Sequence, residues 1–347
     1  MHRRRPERGV VRESEALAGL VAVAALLSLG GAVGMAYVAG FGSIWRAVQT
    51  PSWPWLIAAA AAVVATFAGY YFGYRGVVEV ESRRDELDTE SRIAVVIAGF
   101  GGFLAHGGGA LDEFVFRAAG ASKREAKVRV TLLAGLEHGM LAVPCWIAAA
   151  VLVATGRHEP GFDFSIPWLV GPVVGFAVAF WAAERYRARL RDADGFRGKL
   201  GVLLDAVHLV RTMVLSPRTC GLALLAMIAF WLCDMFALWA GMAAFGFRLN
   251  VASTAVAFGT AMIVTRRTGP LGGAGILMVA LPPTLWISGA HWTPAVLGTF
   301  VYRTLTLWLP MPASFYALPQ LRALGEQSPE TPGEETEADK GEPALQH

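Results

Sequence analysis

With 347 residues, 55% of them hydrophobic and only 16% charged, and a mean hydropathy of +0.48, the chain is more apolar than a soluble domain, in which about a quarter of residues carry charge. The net charge of +3 is mild, but the basic residues crowd between long apolar runs. That pattern orients a membrane protein and leaves no soluble basic face for nucleic acid.

Arg3, Arg4, Arg5 and Arg8 precede an apolar run over 16–39. It is too long for a signal-peptide core and is read as an uncleaved first helix. A second run covers 53–73, entered through Trp53 and Trp55. The stretch 93–118 is apolar but broken by Gly101, Gly102 and the triplet Gly107, Gly108 and Gly109. Further runs follow at 130–154, 166–183 and 219–245, then a second broken stretch at 252–288 and a last run at 293–316. Between them, 182–218 is strongly basic, and its part Phe196–Val210 sets Leu200, Leu203, Leu204 and Val207 on one side of a helix. This fits a surface-lying helix or a solvated linker helix equally. Cys145, Cys220 and Cys233 lie in or beside apolar runs and form no Cys-x-x-Cys pair, so they are expected to be inert thiols, without a disulfide framework or metal site.

The expected fold class is therefore all-α: a polytopic membrane helix bundle of about seven spans plus two re-entrant broken helices. Residues 1–15 form a basic cytoplasmic N-terminus, 16–324 the transmembrane domain, and 325–347 an acidic tail that lacks the apolar surface to order itself. If 93–118 enters from the cytoplasm and returns, and 252–288 does the same from outside, 24 of the 30 basic residues share the cytoplasmic side. That bias places both termini in the cytoplasm and the chain in the inner (plasma) membrane. Two re-entrant segments from opposite faces suggest an inverted repeat, an architecture recurrent among transporters.

Ionisable groups at membrane depth are costly and mark functional sites. Asp112, Glu113 and Arg117 follow His106 and the glycine triplet. Arg117 has the forked geometry to hold a phosphate, or it pairs Glu113 at i,i+4. Glu137 and His138 lie in the next run; Glu137 needs a cation, and Arg117 is one choice. Asp234, deep in the run 219–245, is a proton carrier or a structural hydrogen-bond acceptor. Arg266 and Arg267 precede the turn with Gly272, Gly273 and Gly275, which suits an anionic headgroup but is not a nucleotide loop. Arg303 stands halfway along the last run and demands an acidic or phosphate partner. No catalytic signature is present, neither His-Glu-x-x-His nor Gly-x-Ser-x-Gly, so an enzyme is not expected, and no cofactor is called for.

The stretch Gly269-Pro270-Leu271-Gly272-Gly273-Ala274-Gly275, followed by Tyr302-Arg303 in a helix ending in Trp308 and Pro310, resembles the C-terminal signature of the lysylphosphatidylglycerol synthase transmembrane (flippase-like) family. Arg117, the run Gly120-Ala121-Ser122 and Glu137 resemble its first half. The resemblance covers roughly residues 15–324. It departs at Met278, where the family has Glu, at His138, where it has Arg, and at His106-Gly107, where it has Pro-Gly. What it implies is translocation of an anionic lipid or lipid-linked molecule, with membrane lipids as partners and Arg117, Arg266, Arg267 and Arg303 near the headgroup path. The alternative is a non-transporting scaffold or accessory protein of envelope biogenesis. The aminoacyl-transferase domain of some relatives has no counterpart here.

Overall fold

A computed structural model describes residues 26–79, 89–90, 92–97, 112–113, 115–117, 121–156, 164–191, 193–266, 276–310 and 312. The expected basic N-terminus 1–15 and acidic tail 325–347 lie outside the described residues.

All regular structure among the described residues is helical. The helices are α1 (Leu26–Ala39), α2 (Phe41–Gln49), α3 (Trp53–Glu79), α4 (Lys123–Thr155), α5 (Ser165–Leu190), α6 (Gly195–Leu215), α7 (Pro217–Ala243), α8 (Val251–Arg266), α9 (Leu277–Ile287) and α10 (Trp292–Arg303). A π-helical turn, Thr304–Trp308, continues α10. Four of these helices, α3, α4, α5 and α7, are long and apolar enough to cross a membrane. The pair α1 and α2 adds a fifth if it counts as one span, although it is bent by 99°. The bend falls at Gly40, whose φ of +84° suits glycine. It ends the first apolar run at the residue expected from sequence.

The bundle is built on α7. The most extensive packing joins it to α3, along the face carrying Gly69, Gly73 and Gly76. A side chain at Gly69 would meet the carbonyl oxygen of Ala226 at 2.8 Å and the amide nitrogen of Phe230 at 3.0 Å. Small residues of this kind let two apolar helices approach backbone to backbone, where dispersion contacts hold them. On another face of α7, Gly241 meets Gly298 of α10 in the same manner. The helices α4, α8 and α9 close the core around α7 and α10.

Two ends of the bundle can be told apart. One is basic: Arg124 at the start of α4 pairs with Asp205 of α6 at 2.8 Å, and Arg211 of α6 pairs with Glu184 of α5 at 2.6 Å. At the opposite end the Ser52 amide donates to the Ala244 carbonyl at 2.8 Å, and the Arg248 guanidinium lies 5.1 Å from the Trp55 ring. Phe247, just before α8, and His291, just after α9, stand ring to ring at 5.0 Å at this same end. The segment 251–288 therefore returns to the end from which it starts. Both α8 and α9 are short apolar helices.

The basic segment forms α6, packed against α4, α5 and α7. Leu204, Ala206, Val210 and Met213 are buried, while Phe196, Leu203 and Leu215 are exposed. Leu203 and Leu204, expected on one side, thus divide between the core and an open apolar strip.

Candidate functional site

Helix α4 begins seven residues before the apolar run that announces it. Ser122 caps it: the Glu125 amide donates to Ser122 Oγ at 3.3 Å and the Ser122 amide donates to Glu125 Oε2 at 2.9 Å. This reciprocal box satisfies two amides that a helix start leaves open. The extension carries Arg129 onto the buried face with Ala126, Leu133, Leu136 and Glu137. From sequence Arg129 is a loop charge; in the structure it is only 2% exposed. Arg92, also counted with the loops, is buried in the short helix 92–97.

Around Arg129 gathers a polar cluster. Its guanidinium lies 5.8 Å from the Phe116 ring, which stacks at 5.5 Å on Tyr74 of α3. Asp112 and Arg129 both act electrostatically on the Tyr74 hydroxyl, which has no hydrogen-bond partner among the described residues. Asp112 in turn feels the charge of Glu137, itself only 7% exposed. The structure thus brings together Asp112 and Glu137 and adds Tyr74 and Arg129, which the sequence reading missed. The pattern Ser122-x-x-Glu125 was the signal for Arg129.

Other expected residues are placed as follows. Arg117 is exposed and Glu113 half-buried. His138 is exposed and bonds the Ala134 carbonyl of its own helix through Nδ1 at 2.6 Å, so it turns away from the cluster. Arg266 ends α8, but its side chain, together with Arg267, Gly272, Gly273, Gly275 and His106, lies outside the described residues.

A second buried site joins α7 to α10. Tyr302 donates its hydroxyl to Asp234 Oδ2 at 2.6 Å. Asp234 is 5% exposed, and the neighbouring Arg303 8%. Measured along their helices, Arg303 lies about 17 Å and Asp234 about 14 Å from the end of the bundle where α10 starts and α7 stops. The Tyr302 ring meets Phe258 of α8 at 5.7 Å, and Phe258 meets Trp231 at 6.0 Å. Trp231 donates through Nε1 to the Glu137 backbone carbonyl at 2.7 Å. An aromatic path therefore links the Asp234 site to α4 at Glu137.

Two cavities flank these charges. An apolar groove of about 750 Å³ runs between α4, α7 and α8, lined among others by Ile147, Leu232, Phe236 and Trp239. A smaller polar cavity of about 530 Å³ lies at the basic end between α4, α5 and α6. No group of three or more His, Cys, Asp or Glu side chains able to hold a metal occurs among the described residues. Cys145 and Cys220 are buried free thiols and Cys233 is partly buried.

Long apolar helices around buried ionisable side chains define an all-helical bundle compatible with an integral membrane protein. No protein-family model matches the chain, and no curated protein matches it either.

Proposed function

We propose that this chain is a membrane-embedded protein that takes an anionic lipid or lipid-linked molecule into the bundle and moves it between leaflets. The observation that carries this is Arg303, buried inside the apolar bundle next to Tyr302, which bonds Asp234. An arginine at the bilayer centre costs about 2.5–3.5 kcal/mol even on the lenient insertion scale, so its retention argues for use. The returning hairpin of α8 and α9 supports the same view, since interrupted helices at depth are how transporters build midplane sites. The likeness of Tyr302-Arg303 and the glycine turn to the flippase-like family points the same way. In this reading α1, α3, α4, α5, α7 and α10 make six crossings, and the basic end faces the cytoplasm. That even number, unlike seven, leaves both termini on one side.

The non-transporting accessory reading draws on Met278, buried in α9 where the family has Glu, and on His138, exposed where it has Arg.

The test is lipid movement in vesicles holding the purified protein and a headgroup-labelled anionic lipid. The wild-type protein is expected to expose label from the inner leaflet. Arg303→Lys, which keeps the charge but loses the bidentate fork, is expected to slow this sharply without a change in melting temperature. Lipid movement at the wild-type rate in both Arg303→Lys and Arg303→Gln would remove Arg303 from the mechanism. No movement by the wild-type protein across a panel of anionic lipids would replace transport by the accessory role.

A further inference from the structure

The cavity of about 530 Å³ at the basic end is lined mainly by charged side chains. Four arginines line it: Arg124 and Arg129 from the first two turns of α4, Arg187 from the last turn of α5 and Arg191 just past its end. Two carboxylates face them, Asp205 of α6 and Glu125 of α4. Both are engaged, Asp205 by Arg124 at 2.8 Å and Glu125 by the Ser122 amide at 2.9 Å. Arg124 is taken up by Asp205 and Arg129 belongs to the buried polar cluster, which leaves Arg187 and Arg191 as the surplus.

Arg187 is half-buried and Arg191 exposed. The two are one helical turn apart, where like charges repel. Neither has an ion-pair partner among the described residues. Arg129 forms the buried floor, with the Phe116 ring 5.8 Å from its guanidinium. The wall is held close because Gly201 of α6 lies against the Leu190 carbonyl oxygen, where a side chain would collide. The N-terminus of α4, with its partial positive charge, opens towards the same space. The volume is that of a small-ligand or headgroup pocket.

We propose that this cavity binds a doubly charged phosphate group, a phosphomonoester or a diphosphate, in preference to a singly charged phosphodiester. Two surplus arginines match two negative charges, and guanidinium forks suit phosphate oxygens. The group comes either from an inner-leaflet lipid headgroup or from a soluble phosphate compound. The lipid source rests on the membrane orientation proposed above; the phosphate chemistry rests on the cavity alone and requires no lipid movement.

Equilibrium binding tests it on the full-length protein in neutral detergent and in nanodiscs. One arm titrates inorganic pyrophosphate. The other compares nanodiscs of phosphatidylcholine doped with phosphatidic acid, a phosphomonoester, or with phosphatidylglycerol, a phosphodiester. Phosphatidic acid is expected to bind at least about tenfold more tightly than phosphatidylglycerol, the scale of one charge-assisted hydrogen bond. The double variant Arg187→Gln/Arg191→Gln is expected to weaken it by about tenfold or more on the same grounds. Asp205→Asn, which frees Arg124, is expected to tighten binding, an effect that misfolding cannot imitate. Binding of both probes, with these variant effects, assigns the site to the phosphate group whatever its source; binding of phosphatidic acid alone assigns it to a lipid headgroup. Equal affinity for the two lipids, or affinities unmoved by all these substitutions, would overturn the proposal. Neither outcome depends on whether the protein moves lipid.

Discussion

The hydroxyl of Tyr302 donates to Asp234 at 2.6 Å inside the bundle, and its loss would deprive a buried acceptor of a short hydrogen bond. Tyr302→Phe keeps the ring against Phe258 and removes only that donor. We expect a loss of about 1–3 kcal/mol, the cost of under-satisfying a buried acceptor, seen as a lower melting temperature in detergent. An unchanged melting temperature would show that another donor satisfies Asp234 equally well. The acceptor role was one of two that sequence left open for Asp234. Its donor was not legible, because Tyr302 lies 68 positions away and only helix packing joins them. At the basic end, His208 of α6 is held below its usual value of about 6.5, first by burial and then by Arg187 and Arg211, against the opposing pull of Asp205 and Glu184. The folded protein therefore binds a proton at this site less readily than the unfolded chain. The neutral imidazole is tolerated in full above the ordinary histidine value, and stability falls as the pH drops below it. Between about pH 7.5 and about pH 5.5, where an unperturbed imidazole titrates, the melting temperature of His208→Gln is expected to fall less than that of the wild type. Parallel curves would mean that His208 does not contribute.

Hydropathy located most of the helices, because a membrane helix shows itself as an unbroken apolar run. It failed where charge and helix coincide. Helix α4 was expected over 130–154 and runs from Lys123 to Thr155. The missing turns contain Lys123, Arg124, Lys127 and Arg129, whose charges hide a helix from any hydropathy window. What begins the helix is the Ser122–Glu125 box, a capping signal rather than an apolar one. This shift converts Arg129 from a loop charge into a buried one, so the polar cluster was half legible: Asp112 and Glu137 stood out in apolar runs, Arg129 and Tyr74 did not. Packing of α3 on α7 makes a graded prediction. Gly69→Ala meets backbone atoms of Ala226 and Phe230 that cannot yield, and is expected to cost about 1–3 kcal/mol by overpacking. Gly73→Ala meets the Met227 side chain, 2.7 Å away at its nearest atoms, which has rotatable bonds with which to yield where backbone has none. Gly135→Ala meets Val210 at an ordinary 3.8 Å. Melting temperatures should fall most for Gly69→Ala, less for Gly73→Ala and little for Gly135→Ala; a different order would mean that α3 and α7 do not meet along this face.

At the scale of the whole molecule, the helices alternate in direction. Helix α3 runs towards the basic end, α4 away from it, α5 back, α7 away, and α10 back again from His291. This alternation holds only because 251–288 returns to the end where it began, beside Phe247. A single crossing there would reverse α10 and carry Arg303 to the wrong depth relative to Asp234. The tight Gly241–Gly298 approach and the Tyr302–Asp234 bond both require the antiparallel pairing. Single cysteines at Arg248 and His291, exposed positions flanking the hairpin, should therefore react with a membrane-impermeant maleimide from one and the same side. Cysteines at Lys127 and Arg189, exposed near the basic end, should react only from the other. The native Cys145 and Cys220 are buried, and the partly buried Cys233 is replaced by Ser in the labelling background. In intact cells the first pair is expected to label and the second to label only after lysis, because arginine and lysine are retained on the cytoplasmic side. Labelling of the second pair alone would invert the orientation and leave the hairpin standing. Labelling of Arg248→Cys and His291→Cys from opposite sides would break the hairpin itself, and with it the antiparallel pairing that brings Tyr302 to Asp234.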